Sequence, residues 1–126
     1  MGGLVGIGLD VVEVKRMGAL LARLPAAEAR LFTAAERAYC RRFNDATQHF
    51  AARFAAKEAV GKALGTGVLG WRDIEVGSGG RPRVRLHGSA AATARREGIG
   101  RIELSLSHTA AQAFAVAAAV KEGDHA

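Results

Sequence analysis

Within "RFAAKEAVGKALGTG", residues 53–67, one carboxylate, Glu58, stands among three cations, Arg53, Lys57 and Lys62. On a helix Glu58 and Lys62 are i,i+4 neighbours, as are Arg53 and Lys57 on a different flank. That spacing suits two solvent-facing ion pairs, which contribute little to stability. It equally suits one half of a divalent-cation site ringed by phosphate-binding groups. A second carboxylate, Asp10, lies in the apolar run "LVGIGLDVVEV" (4–14). Carboxylates from distant segments can share an ion, and oxygen ligands without cysteine suit Mg²⁺, which binds through one or two carboxylates plus substrate phosphates. Asp10 also suits a helix N-cap or a hydrogen-bonded strand end.

Other residues could handle anions. His108 stands in "LSLSHT" with Ser105, Ser107 and Thr109 around it, a hydroxyl-rich turn that could hold an anion or simply satisfy a buried imidazole. Ser107 is poorly placed to be activated by His108, because adjacent strand residues point to opposite faces. In "GGRPRVRL" a turn and Pro82 precede alternating arginines. Arg81 and Arg85 could clamp a phosphate through their guanidinium forks, or the segment could be a basic sheet face. Arg16, Arg23 and Arg30 lie on successive helical segments. They could dock an acidic protein or merely keep the chain soluble.

The elements that must position these groups follow from pattern. Residues 4–14 read as a strand ending near Asp10. "VKRMGALLARL" (14–24) reads as a helix halted by Pro25. Thr33 and Glu36 have capping-box spacing and predict a helix through "ERAYCRRF". Asn44-Asp45 breaks it, Asp45 and Gln48 repeat the capping spacing, and a long helix runs from about 46 to 64, closed by Gly65 in the left-handed conformation. "DIEVGSGGRPRVRL" predicts two strands around a Gly-rich turn. Ser89 is the expected cap of a short helix over "AAATARRE", with Gly98 at its end. "RIELSLSHT" and "AQAFAVAAAV" read as final strands, although the alanine-rich one reads as a helix equally well. The tail "KEGDHA" is polar and expected to fray. The order predicts an α+β fold: a mostly antiparallel sheet packed against a long helix and shorter helices, in one domain over residues 1–126.

Composition narrows the function classes. Hydrophobic residues make up 49% of the 126, enough for a folded core rather than a disordered tail. Aromatics are scarce, so small side chains fill that core, and a partner surface is expected to help. Eighteen Lys and Arg against twelve Asp and Glu favour an anionic partner: nucleic acid, a polyphosphate cofactor or an acidic protein. A single cysteine, Cys40, excludes an internal disulfide and a cysteine-based zinc site and suits a cytoplasmic compartment. The N-terminus lacks signal-peptide character, and the run over residues 110–120 is too short to span a bilayer. A metal-dependent nuclease is disfavoured because no basic surface interleaved with aromatics is visible for nucleic acid.

Three blocks, "GIGLDVVEVKR" (6–16), "FAARFAAKEAVGKALGTG" (50–67) and "SLSHT" (105–109), together with "GGRP" (79–82) and "LFTAAERAYC", resemble the holo-[acyl-carrier-protein] synthases. These are the small bacterial branch of the 4′-phosphopantetheinyl transferases, and the resemblance covers nearly the whole chain. It implies that family's fold and a Mg²⁺-dependent transfer of the 4′-phosphopantetheine arm of coenzyme A onto a serine of an apo acyl carrier protein, releasing adenosine 3′,5′-bisphosphate. It further implies a homotrimer with active sites at subunit interfaces. By position, Asp10 and Glu58 match the Mg²⁺ ligands, Lys62 the group at the leaving phosphate, and Glu58, directly or through water, the candidate base. Arg53, Gly65, Arg81, Pro82, Ser107, His108 and Thr109 match the coenzyme A contacts. Arg16, with Arg23 beside it, matches the surface that meets the acidic carrier. Phe54 stands where many relatives have Trp. Whether the carrier serves fatty-acid or polyketide synthesis stays open, as does a role for Lys57.

Overall fold

The computed structural model describes residues 3–123; the last three residues of the expected frayed tail lie outside them. Strand β1 (Leu4–Glu13) leads into helix α1 (Val14–Arg23), then short helices α2 (Ala26–Leu31) and α3 (Ala34–Cys40) and the long α4 (Ala46–Leu64). A 3₁₀ turn (Trp71–Asp73) enters the hairpin β2 (Ile74–Val76) and β3 (Val84–Leu86). Helix α5 (Gly88–Arg96) and strands β4 (Ile99–His108) and β5 (Gln112–Lys121) complete the chain. The main sheet has the order β1-β5-β4 and is antiparallel throughout; β2 and β3 form a separate antiparallel pair. The fold is α+β, as the pattern predicts.

The ambiguity in the alanine-rich segment resolves as a strand because its alanines alternate. Ala113, Ala115, Ala117 and Ala119 are buried, while Phe114, Val116 and Val120 point the other way. The alanine face is thin, so α4 can lie close to it through its own buried Ala55, Ala56, Ala59 and Ala63. Strand β1 thins its inner face further, with glycine. A Cβ on Gly6 would stand 2.1 Å from the Ala63 carbonyl oxygen, and one on Gly8 would stand 1.9 Å from that of Ala59. These glycines are required by the approach of helix to strand. Helix α4 is thereby covered by the sheet on one side and by α1, α3, α5 and β2 on others, and twelve of its nineteen residues are buried.

That burial explains Lys57. It is not part of a surface ion pair but is fully enclosed with Glu36. Its Nζ lies 2.8 Å from Glu36 Oε1 and donates to the carbonyls of Trp71, at 2.8 Å, and Ile74. Glu36 also accepts from the backbone N–H of Thr33 at 2.8 Å and of Val76 at 2.8 Å. The capping box at Thr33 and Glu36 forms as predicted, and the same carboxylate goes on to join α3 to α4 and β2. Burial pushes the Lys57 ammonium below its usual range, against the pull of Glu36.

Several local expectations are corrected. Strand β1 continues to Glu13, so Asp10 lies inside the strand, not at its end. The helical segment expected around Arg30, whose bounds the sequence leaves open, is α2 over residues 26–31. Its buried Glu28 is bonded by Arg37 and Arg41, whose bonds outweigh burial and hold the carboxyl below its ordinary range. Asp45 does not cap α4 with its side chain; its carboxylate turns to His49, 3.5 Å away. Ser89 does not cap α5 either. Asp73, from the 3₁₀ turn, accepts from both the backbone N–H and the hydroxyl of Ser89, at 3.2 and 2.7 Å, and so supplies the cap from a distance. Gly65 closes α4 with φ of 85°, as predicted.

Two substitutions test this architecture by urea unfolding. Lys57→Met leaves Glu36 as a buried carboxylate without its partner and is expected to cost about 3–5 kcal/mol, with Glu36→Gln/Lys57→Met recovering much of the loss. A cost below about 1 kcal/mol for the single variant would show the pair to be dispensable. Gly8→Ala forces α4 off β1 and is expected to cost at least about 1–3 kcal/mol; native stability would refute the close seating.

Candidate active site

The seating of α4 on β1 sets two carboxylates near each other. Asp10 leaves β1 on the side facing α4, where Lys62 Nζ donates to the Leu9 carbonyl at 2.8 Å and lies 3.4 Å from Asp10 Oδ1. Lys62 therefore pairs with Asp10 across the two elements, not along the helix with Glu58. Glu58 is half-buried one turn earlier on α4. Burial raises its pKa, the charge of Asp10 raises it further, and Lys62 only partly offsets them. Two like charges and one cation thus share a partly desolvated spot.

Asp10 and Glu58 open onto a cleft of about 600 Å³ between β1, α1 and α4. Arg16 and Arg23 of α1 line its other side, with Phe54 and Gln112 at its edge. The cleft therefore joins the predicted acidic pair to the predicted docking arginines. Phe54 stacks on Trp71 with ring centroids 4.8 Å apart. Gln112 was not singled out by sequence; Phe54 was noted only for its residue type, and its position four residues before Glu58 on the same helix face is the signal that could have placed it at the cleft.

The remaining predicted residues lie elsewhere, and none of them lines this cleft. Arg53 is not a surface cation. It is buried, its guanidinium stacks 4.1 Å over Tyr39, one Nη reaches the Gly77 carbonyl at 3.4 Å, and its Nε lacks a partner among the described residues. Arg81 is exposed and paired with Glu103 at 2.8 Å. Pro82 follows it in the β2–β3 turn. The Thr109 hydroxyl accepts from the backbone N–H groups of Ala111 and Gln112, at 3.2 and 3.0 Å, and so serves first to shape the β4–β5 turn. Ser107 and His108 are exposed at the end of β4. Gly65 sits exposed at the end of α4, with open space where a side chain would be.

The donor set defines a class. No group of three or more His, Cys, Asp or Glu side chains that could hold a metal occurs among the described residues. An acidic pair with an adjacent lysine leaves the other positions of a hard cation to water and substrate oxygens, the arrangement expected of an enzyme acting on a phosphate ester. The sequence matches the model of the 4′-phosphopantetheinyl transferase superfamily over residues 6–119, and the chain belongs to that family. It is 52% identical, over 93% of each chain, to the holo-[acyl-carrier-protein] synthase of Desulforudis audaxviator. The fold is similar to the acyl carrier protein synthase of Plasmodium yoelii with ADP bound, at TM-score 0.88 and 29% identity, covering 98% of this chain and 99% of that one. It is also similar to the holo-(acyl-carrier-protein) synthase of Bacillus anthracis in complex with CoA (3′,5′-ADP), at TM-score 0.78 and 31% identity, covering 94% and 98%.

Electrostatics at the acidic pair gives a test in the metal-free protein. The folded pKa of Glu58 lies above its ordinary 4.5, so the folded state holds that proton more tightly than the unfolded state. Ionised Glu58 therefore opposes folding. The cost is absent well below 4.5, enters as pH rises through that value and is complete above the folded pKa. Glu58→Gln is expected to melt a few degrees higher than the unaltered protein near neutral pH and to lose that advantage below about pH 4. Equal melting near neutral pH would overturn the assignment.

Proposed function

We propose that this chain is a holo-[acyl-carrier-protein] synthase. It transfers the 4′-phosphopantetheine moiety of coenzyme A to a serine of an apo acyl carrier protein and releases adenosine 3′,5′-bisphosphate. The observation that carries this reading is the Asp10–Glu58–Lys62 grouping at the cleft, in a chain of this family. The names of its relatives, and the CoA and ADP in the solved structures, agree with it.

The residues fit a divalent cation. Asp10 and Glu58 repel each other at a partly desolvated spot, and a hard cation relieves that repulsion. Asp10 and Glu58 would hold Mg²⁺, which when bound would neutralise charge on the pyrophosphate of coenzyme A. Lys62 would place its ammonium at the leaving phosphate, held there by the Leu9 carbonyl and Asp10. Glu58, whose raised pKa suits a group that takes up a proton, would accept the carrier serine's proton directly or through water. Arg16 and Arg23, across the cleft, would steer and dock the acidic carrier. Arg53, Gly65, Arg81, Pro82, Ser107, His108 and Thr109 would contact the nucleotide end of coenzyme A.

These last groups lie outside the cleft of the acidic pair in a single chain, which supports an active site completed by a second copy. The outer face of the sheet supports the same reading. Ile7, Leu9 and Val11 of β1 and Val116 of β5 are exposed on it, an apolar surface that a homotrimer would cover. No helix among the described residues is long and apolar enough to cross a membrane. The buried Cys40, its thiol pushed up to about 12 chiefly by burial, suits a reducing cytoplasm.

Incubation with coenzyme A, Mg²⁺ and an apo acyl carrier protein is expected to add the mass of one phosphopantetheine to the carrier. Asp10→Ala and Glu58→Ala should each lower the rate by at least about 10²-fold while remaining folded. Chelation of the metal should abolish transfer, and Mg²⁺ should raise the melting temperature of the unaltered protein but not of Asp10→Ala. No mass gain on any of several carriers would overturn the reading.

A further inference from the structure

A second side-chain cluster lies at the N-terminal end of α4, away from the acidic pair. His49 is one turn before Arg53 on the same helix face. Its ring stacks on Phe43 with centroids 3.8 Å apart and planes at 20°, and stands edgewise to Tyr39 at 5.9 Å. On its other side it meets His108 at the end of β4, with centroids 5.4 Å apart and planes at 69°. Phe43 lies in the connection between α3 and α4, so a local run of residues 39–49 and the distant end of β4 converge on one imidazole. Arg53 adds a second indication of a ligand. It is a buried cation whose contacts are an aromatic face, one long bond to a carbonyl and an Nε without a partner among the described residues. A buried guanidinium so incompletely satisfied favours an incoming anion.

We propose that His49 is a positioning residue: it fixes the ring of the exposed His108 to receive a phosphate monoester, the 3′-phosphate of coenzyme A. The inference deepens the reading given above and rests on the place assigned there to His108. A strand-end imidazole in water samples several rotamers, and holding it in one lowers the ordering cost of binding. His49 is itself held, by Phe43 on one face and by the Asp45 carboxylate at 3.5 Å. Burial, foremost, and the charges of His108 and Arg53 lower its pKa against the pull of Asp45. His49 therefore takes up a proton less readily than a free imidazole. An uncharged ring at His49 packs edgewise on the His108 ring without adding a cation beside the place of the phosphate.

The test compares coenzyme A with 3′-dephospho-coenzyme A in the carrier-modification assay. His49→Leu keeps volume against Phe43 and removes the ring. It is expected to raise KM for coenzyme A about fivefold, with kcat within about twofold and KM for the dephospho substrate unchanged. His49→Phe, which keeps a neutral ring, should restore KM for coenzyme A. If His49→Leu does not fold, as judged by its melt, His49→Gln must show the same selective loss. A rise in KM for both substrates, no rise for either, or a Phe variant as impaired as Leu would overturn the proposal. His108→Ala separates this from the underlying reading. If it raises KM for coenzyme A alone while His49→Leu does not, only the role of His49 fails. If His108→Ala leaves both values unchanged, the phosphate is not at His108 and both fall.

Discussion

The separation between α4 and the sheet is the constraint on which the rest of the structure depends. A helix ordinarily stands off a sheet by the thickness of the side chains between them. Here that layer is reduced to glycine on β1 and alanine on β5 and α4. The helix backbone comes within a Cβ of the strand, which is why Gly6 and Gly8 cannot carry side chains. Asp10 follows Gly8 on the same face of β1 and inherits the short separation. Its short side chain then meets Lys62 and feels the charge of Glu58, although the two elements are far apart in sequence. A core of small residues looks like a weakness when stability is judged by apolar area, since each alanine buries little. In this molecule it is the geometric requirement for the site.

The buried pair of Glu36 and Lys57 resists the opposite tendency. A helix so largely made of alanine offers few large side chains to fix its rotation. Lys57 fixes it by polar geometry: all three ammonium protons have oxygen acceptors, one on α3 and two on the segment from the 3₁₀ turn into β2. Glu36 is satisfied in turn by Thr33 and Val76. Desolvating two charges is costly, and such pairs add little net stability over apolar replacements. Their directional bonds restrict the alternatives more than apolar contacts do. A rotation of α4 by a few tens of degrees would break these bonds and would also swing Glu58, one residue on, away from the cleft.

The sequence made the architecture legible where a periodic pattern was backed by a local device. The capping box at Thr33 and Glu36 and the left-handed Gly65 each combine two such signals, whereas the largely apolar β5 read equally as strand or helix until burial separated its alanines. Asp10, Glu58, Lys62, Arg16 and Arg23 were all marked in the sequence, and the structure brings the carboxylates and arginines to one cleft. What was not legible depends on contacts between distant segments. Ser89 had the right type and spacing to cap a helix, but Asp73 from the 3₁₀ turn supplies that cap; Asp45 is a local miss, its carboxylate turning to His49 four residues on. Lys57 looked like half of a surface pair because i,i+4 spacing says nothing about which helix face is covered. The packing of His49 on His108 was likewise hidden, since β4 lies far along the chain from residues 39–49.

The charge distribution links these observations to the proposed chemistry. Interior charge at Lys57 is neutralised within the chain, whereas charge at two other places is not. The acidic pair is left with more negative charge than Lys62 offsets, and Arg53 is left buried with an unpartnered Nε. The two imbalances have opposite sign and lie five residues apart on different flanks of α4. A ligand that complements both must carry a cation-binding polyphosphate at one end and further anionic charge at another. Coenzyme A bridged to Mg²⁺ has that distribution, and a free phosphate or a simple phosphodiester does not. Within one chain the groups at the nucleotide end lie outside the cleft of the acidic pair, and the exposed apolar sheet face is the surface through which a neighbouring copy would supply the other end. In the proposed assembly, the copy that covers Ile7, Leu9 and Val11 would also complete the charge pattern the substrate must match.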